Sequence, residues 1–192
     1  MPNIQWVMRQ IFPGTVALFL LAFPLTLNAQ TLYDDFSPKW TVEKRGTGVV
    51  SSEVNQRLEV TVAANASQGA DSIFLDTHRS TCVLEGNFDI QVDYLLLLFP
   101  PQSGMRIGLG VETAAGYYFI ERTSFSPADQ RGLNRIGHNY VTDFRGTLSF
   151  VPASDQGGKL KLMRQGQIVS GFYFDQQSSS WKQVGSGSIP GQ

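Results

Sequence analysis

Apolar and polar residues alternate with period two along most of the chain, in short runs. RLEVTVAANA (57–66) puts Leu58, Val60 and Val62 on one face, and SIFLD (72–76) and TCVLE (81–85) follow. In NFDIQVDYLLLLF (87–99), Phe88, Ile90, Val92, Tyr94, Leu96 and Leu98 share one face, opposite Asp89, Gln91 and Asp93. MRIGLGVE (105–112) sends Ile107, Leu109 and Val111 one way and Arg106, Gly108, Gly110 and Glu112 the other. YYFIERT (117–123) returns after Thr113-Ala114-Ala115-Gly116, a turn that pairs Glu112 with Tyr117 and sets Glu121 opposite Gly108. KLKLMR (159–164) and QIVSGFYFD (167–175) flank Gln165-Gly166 as a second hairpin, and Trp181 begins a late strand. Period-two runs bounded by Gly-rich turns are strands.

No segment of a dozen residues carries a helical stripe. Roughly ten or more short strands with regular turn signals predict an all-β antiparallel sandwich or barrel rather than βαβ units. Leu95 and Leu97 break the polar alternation, which predicts a partly covered outer face there. Pro100-Pro101 ends that strand, because proline cannot donate to a ladder. Residues 124–139 are the longest polar stretch and read as a loop over one end or face.

The first 29 of the 192 residues read differently. Arg9, the apolar run TVALFLLAFPLTL (15–27) and Asn28-Ala29 have the order of a secretory signal. Pro24 interrupts the run, and a spanning helix wants about 20 apolar residues. The expected product is a single exported domain, residues 30–192, secreted or periplasmic and bacterial in style. It carries 14 basic and 16 acidic residues, a balance unsuited to nucleic acid, which needs a basic stripe. Nothing in it reads as a membrane-inserting segment once the signal is removed. Cys82 is the single cysteine, so the domain has no internal disulfide, and a buried inert thiol is expected.

DDFSPKW (34–40), GNFDIQVDYLLL (86–97) and GKLKLMRQGQIVSGFYFDQQSSSWKQVGS (158–186), in that order, resemble the laminin-G-like bacterial branch of the concanavalin A-like lectin/glucanase superfamily. The resemblance covers most of residues 34–186. It implies a two-sheet jelly roll whose concave face often binds glycans. Relatives often bind a structural Ca²⁺, and Asp34, Asp35 or a loop aspartate such as Asp129 offer hard oxygen ligands for one here, though no EF-hand-like string is present. Relatives continue after a W-x-x-V-G segment with a further strand or two. The chain's end at Gln192 therefore implies a sheet without its last strand or strands and an exposed edge. The E-x-D-x-x-E strand motif of the superfamily's glucanases has no counterpart here.

Catalytic chemistry is poorly supplied. Asp89 and Asp93 share a face, but four strand residues separate them by roughly 13 Å. Glycosidase carboxylates stand roughly 5–5.5 Å or 6.5–9.5 Å apart. Glu112 and Glu121 are separated as widely as the aspartates. G-x-S-x-G is missing, and His78, in a turn, and His138, in the long loop, read as exposed polar residues. No His or Cys pair stands at metal-ligand spacing.

Binding chemistry is better supplied. A sugar ring wants a flat aromatic for its C–H face and planar polar groups for its hydroxyls. Arg106, Glu112, Tyr117 and Glu121 share the outer face of the 105–123 hairpin, with Gly108 and Gly110 as a low floor beside them. The expected activity is non-catalytic recognition of a polysaccharide or surface glycan by these four residues beside Asp89 and Asp93, with no cofactor required. Two other readings stand beside it. One is a glycoside hydrolase or lyase of the same fold, which needs carboxylates converging from separate strands. The other is a structural or adhesive module that pairs through an open edge.

Overall fold

The structure, a computed structural model, describes residues 3–7, 40–55, 57–67, 75–80, 84–99, 105–125 and 137–189. The expectations for Cys82, Asp34, Asp35, Asp129 and the 15–27 run lie outside the described residues.

Thirteen strands are described: β1 (Asn3–Val7), β2 (Trp40–Arg45), β3 (Thr47–Val54), β4 (Arg57–Ser67), β5 (Leu75–Ser80), β6 (Phe88–Leu96), β7 (Met105–Thr113), β8 (Gly116–Phe125), β9 (Gly137–Phe144), β10 (Thr147–Pro152), β11 (Gly157–Gln165), β12 (Ile168–Asp175) and β13 (Ser180–Ser188). They form a seven-stranded sheet ordered β13-β12-β11-β6-β1-β4-β3, a four-stranded sheet ordered β10-β9-β8-β7, and the ribbon β2-β5. Every pairing is antiparallel, and neither large sheet closes into a barrel.

The two large sheets pack face to face as a β-sandwich. Val92, Tyr94, Leu96, Leu160, Leu162 and Val169 from one meet Ile107, Leu109, Tyr118, Ile120, Tyr140 and Phe144 from the other in one buried core. Burying a side chain of this size contributes roughly 1.5–3 kcal/mol. β13 packs on β9 and β10, and β11 packs on β7 and β8. Close approach depends on Gly171, Gly185 and Gly187. A Cβ at Gly171 would lie 2.5 Å from Thr142 Cγ2, and one at Gly187 2.5 Å from Phe144 Cβ.

The turns follow the sequence. β7 and β8 join through Ala114-Ala115, where the Thr113 hydroxyl accepts from Ala115 N at 3.1 Å and donates to Gly116 O at 3.0 Å. β9 and β10 join through Arg145-Gly146, both at positive φ, a conformation that matches the right-handed strand twist. Asp143 Oδ1 accepts from Gly146 N at 2.7 Å and holds that turn.

Several expectations change. The 124–139 segment is strand at both ends: β8 runs to Phe125 and β9 starts at Gly137. His78 is half-buried within β5 rather than in a turn. Leu95, Leu97 and Leu98 are exposed, not covered. β6 ends at Leu96, so Leu98 has left the ladder and does not continue the core face.

β1 lies within the stretch that reads as a leader. Among the described residues it is the strand that joins β4 to β6, with Trp6 opposite Leu58 on one side and Tyr94 on the other. Removal of residues 1–29 would leave those two edges unpaired.

Candidate functional site

The β7–β8 register is the expected one: Glu112 opposite Tyr117, Gly108 opposite Glu121, and Arg106 opposite Thr123. Ile107, Leu109, Tyr118 and Ile120 point into the core, so Arg106, Glu112, Tyr117 and Glu121 occupy the outer face of the four-stranded sheet. Tyr117 is 53% exposed and touches the Phe119 ring at a centroid distance of 5.6 Å. Its ring leans over Gly110, while the Glu121 side chain lies over Gly108. The glycine floor is therefore occupied by these two side chains. What it creates is room for them to lie down.

Two guanidinium–carboxylate pairs flank the ring. Arg79 Nη1, from β5, donates to Glu112 Oε2 at 3.0 Å, and Arg106 Nη1 stands 3.7 Å from Glu121 Oε2. The second pair is a contact of charges without a hydrogen bond, and Glu121 Oε2 is buried with no donor. Burial raises the Glu121 carboxyl to about 7; Arg106 pulls it down and Asp143 pushes it further up. Partial burial and the Glu121 and Glu112 carboxylates push the Tyr117 phenol up, against Arg79.

Asp89 and Asp93 are elsewhere. Their β6 neighbours Val92 and Tyr94 face the core, so the two aspartates stand on the outer face of the seven-stranded sheet, across the sandwich from Tyr117. Asp93 accepts from Lys159 Nζ at 3.1 Å, and Asp89 lies 3.4 Å from Lys161 Nζ. Lys161 also sits 4.4 Å from the Trp181 ring centroid. The six expected binding residues are therefore not one site. Period-two alternation assigns residues to a face of their own sheet; it does not say which sheet.

The sequence reading missed a third cluster. Arg122, on the inner face of β8, is 2% exposed. Its Nε donates to Asp155 Oδ1 at 3.3 Å, Nη2 to Asp155 O at 3.0 Å and Nη1 to Thr123 O at 3.1 Å. Asp155 Oδ2 accepts from the hydroxyls of Tyr94, at 2.7 Å, and Tyr140. Tyr140 stacks on Tyr173 at 4.2 Å. Burial and this carboxylate push both phenols well up. An arginine at an inward position of an alternating strand was the available signal, since Arg is almost never fully buried unless paired.

Among the described residues, no group of three His, Cys, Asp or Glu could hold a metal ion. Comparison with protein-family models, curated proteins and solved structures finds no match for the chain.

Proposed function

We propose that the chain is an exported, non-catalytic glycan-binding domain whose site is the outer face of β7 and β8. The observation that carries this reading is a half-exposed aromatic ring, Tyr117, set between the Arg79–Glu112 and Arg106–Glu121 pairs. The ring offers a stacking surface for a C–H face, and the planar polar groups offer paired hydrogen bonds to vicinal hydroxyls. Kinship with the concanavalin A-like jelly rolls belongs to the same proposal; two antiparallel sheets packed face to face support it. Export through residues 15–27, with cleavage before Gln30, belongs to the same proposal and requires the sheet to hold without β1 between β4 and β6.

A hydrolase is the second reading. Glu121, with its carboxyl near 7, is a general-acid candidate. Asp143 stands diagonal to it, since Glu121 pairs with Val141 and Phe119 with Asp143. The backbones of diagonal neighbours on adjacent strands lie about 7–8 Å apart, and the Asp143 charge acts on the Glu121 carboxyl, so the two carboxylates are neighbours from separate strands. Against this, Asp143 is engaged in the turn at Gly146 and Glu121 faces Arg106.

The test is retention on a panel of soluble and insoluble polysaccharides, with reducing sugar assayed in the same wells. Retention without release, lost in Tyr117→Ala, is expected. Release that stops in Glu121→Gln would replace the binding reading with the hydrolase.

A further inference from the structure

On the outer face of β7, Arg106, Gly108, Gly110 and Glu112 follow one another in a row. Glu121 lies over Gly108 and the Tyr117 ring over Gly110, so the row reads Arg106, Glu121, Tyr117, Glu112. Gly110 and Arg106 are four strand residues apart, about 13 Å, which is more than one sugar ring. A chain of sugars lying along the hairpin with one ring on Tyr117 therefore passes Arg106 with a later ring.

Arg106 is open to a ligand in a way that Arg79 and Arg122 are not. Arg79 donates to Glu112 at 3.0 Å and to Glu43 at 3.5 Å, and Arg122 is buried with three donors engaged. Among the described residues Arg106 donates no hydrogen bond. Its guanidinium lies 5.8 Å from the Phe125 ring centroid and 3.7 Å from Glu121 Oε2, and its side chain is 37% exposed. Its planar fork of N–H donors is the shape that a carboxylate meets bidentately. The carboxylate beside it is a poor counter-ion. Glu121 Oε2 is buried without a donor, and three groups face it: Arg106 from β7, Asp143 from β9 and the Tyr117 phenol from β8. Burial and Asp143 outweigh Arg106 and lift the carboxyl to about 7. Below that pH Glu121 is uncharged and Arg106 is left as an exposed cation; above it Glu121 is charged and holds Arg106. The carboxyl of a uronic acid, an ordinary exposed acid, is ionised on both sides of that pH.

We infer that the outer face of β7 and β8 selects an acidic polysaccharide: one ring stacks on Tyr117, and a carboxylate further along takes the Arg106 guanidinium in competition with Glu121. The inference rests on the glycan-binding reading of that face. It makes Arg106 the residue that decides specificity and Glu121 the group that regulates it. Binding of an acidic glycan therefore tightens as the solution turns acid.

The experiment measures the affinity of the folded full chain for polygalacturonate, alginate and hyaluronan, each against its own amidated, uncharged form, at about pH 5.5 and about pH 8.5 and one ionic strength. At the lower pH at least one acid form should bind about tenfold tighter than its amide, and at the higher pH that preference should shrink towards one. Glu121→Gln should keep the preference at both pH values. That is a gain of binding at high pH, which loss of fold cannot mimic and another titrating group would not produce. Arg106→Gln should bind acid and amide alike, its retention of the amide showing that the Tyr117 platform is intact. Equal affinity of the unaltered chain for both forms at both pH values would overturn the inference and leave the glycan reading with a neutral ligand; so would retention of neutral polysaccharides alone. A preference that persists unchanged at high pH, or in Arg106→Gln, would assign it to another cation and overturn the inference too. Failure to retain any polysaccharide, charged or uncharged, would remove the glycan reading and this inference together.

Discussion

The Tyr117 ring rests on Gly110, its diagonal neighbour across the β7–β8 ladder: a Cβ at 110 would overlap the phenol oxygen and Cζ. The glycine is thus part of the aromatic platform. Gly110→Ala should lift the ring and weaken glycan retention as severely as Tyr117→Ala does. Tyr117→Ala itself should change Tm little, because half of the side chain is already in water. Asp89→Asn and Asp93→Asn, on the other outer face, should leave retention unchanged. Affinity electrophoresis on one retained polysaccharide separates these outcomes.

Glu121 makes stability depend on pH in the direction opposite to a salt-bridged carboxylate. Its folded value of about 7 lies above the ordinary 4.5, so the folded state holds the proton more tightly than the unfolded state. The stability from this group is full below pH 4.5 and is lost as pH rises to about 7. The difference corresponds to about 3 kcal/mol. Glu121→Gln, a neutral isostere, should flatten the Tm–pH curve over that interval and raise Tm at pH 8. An unchanged slope in the variant would remove Glu121 as its source.

Asp155 is the sole carboxylate on the buried Arg122 guanidinium among the described residues. Asp155→Asn leaves that charge uncompensated, and breaking one partner of a buried pair costs about 3–5 kcal/mol. Arg122→Met together with Asp155→Asn should recover much of the loss, since no buried charge is then stranded. Urea denaturation of both singles and the double gives the coupling directly.

Gly171 sets the spacing between the sheets at Thr142 and Ile120. Gly171→Ala should destabilise by about 1–3 kcal/mol through overpacking. Adding Thr142→Ala, which removes the methyl that the new Cβ meets, should restore most of it. Thermal melts of the two variants decide this.

Residues 1–29 carry two incompatible assignments, a cleaved leader and the strand between β4 and β6. A chain beginning at Gln30 leaves two facing strand edges unpaired, an invitation to another strand. It should melt lower than the full chain or self-associate. Sedimentation and Tm on the two lengths provide the comparison.

Alternation by itself determined the all-β class, the β7–β8 and β11–β12 hairpins, and even the opposition of Glu121 to Gly108, because hairpin register follows from turn length and a period of two. It also named Arg106, Glu112, Tyr117 and Glu121 as neighbours, since all four lie on one local hairpin. Tertiary structure decided everything that crosses between strands distant in sequence. It put Asp89 and Asp93 on the opposite face, because a strand's polar side is outward in whichever sheet it joins. It brought Arg79 to Glu112 across 33 residues and Asp155 to Arg122 across another 33. It turned His138 from a polar loop residue into a strand residue, because β9 begins before it. Such contacts depend on which sheets face each other, and no local period encodes that.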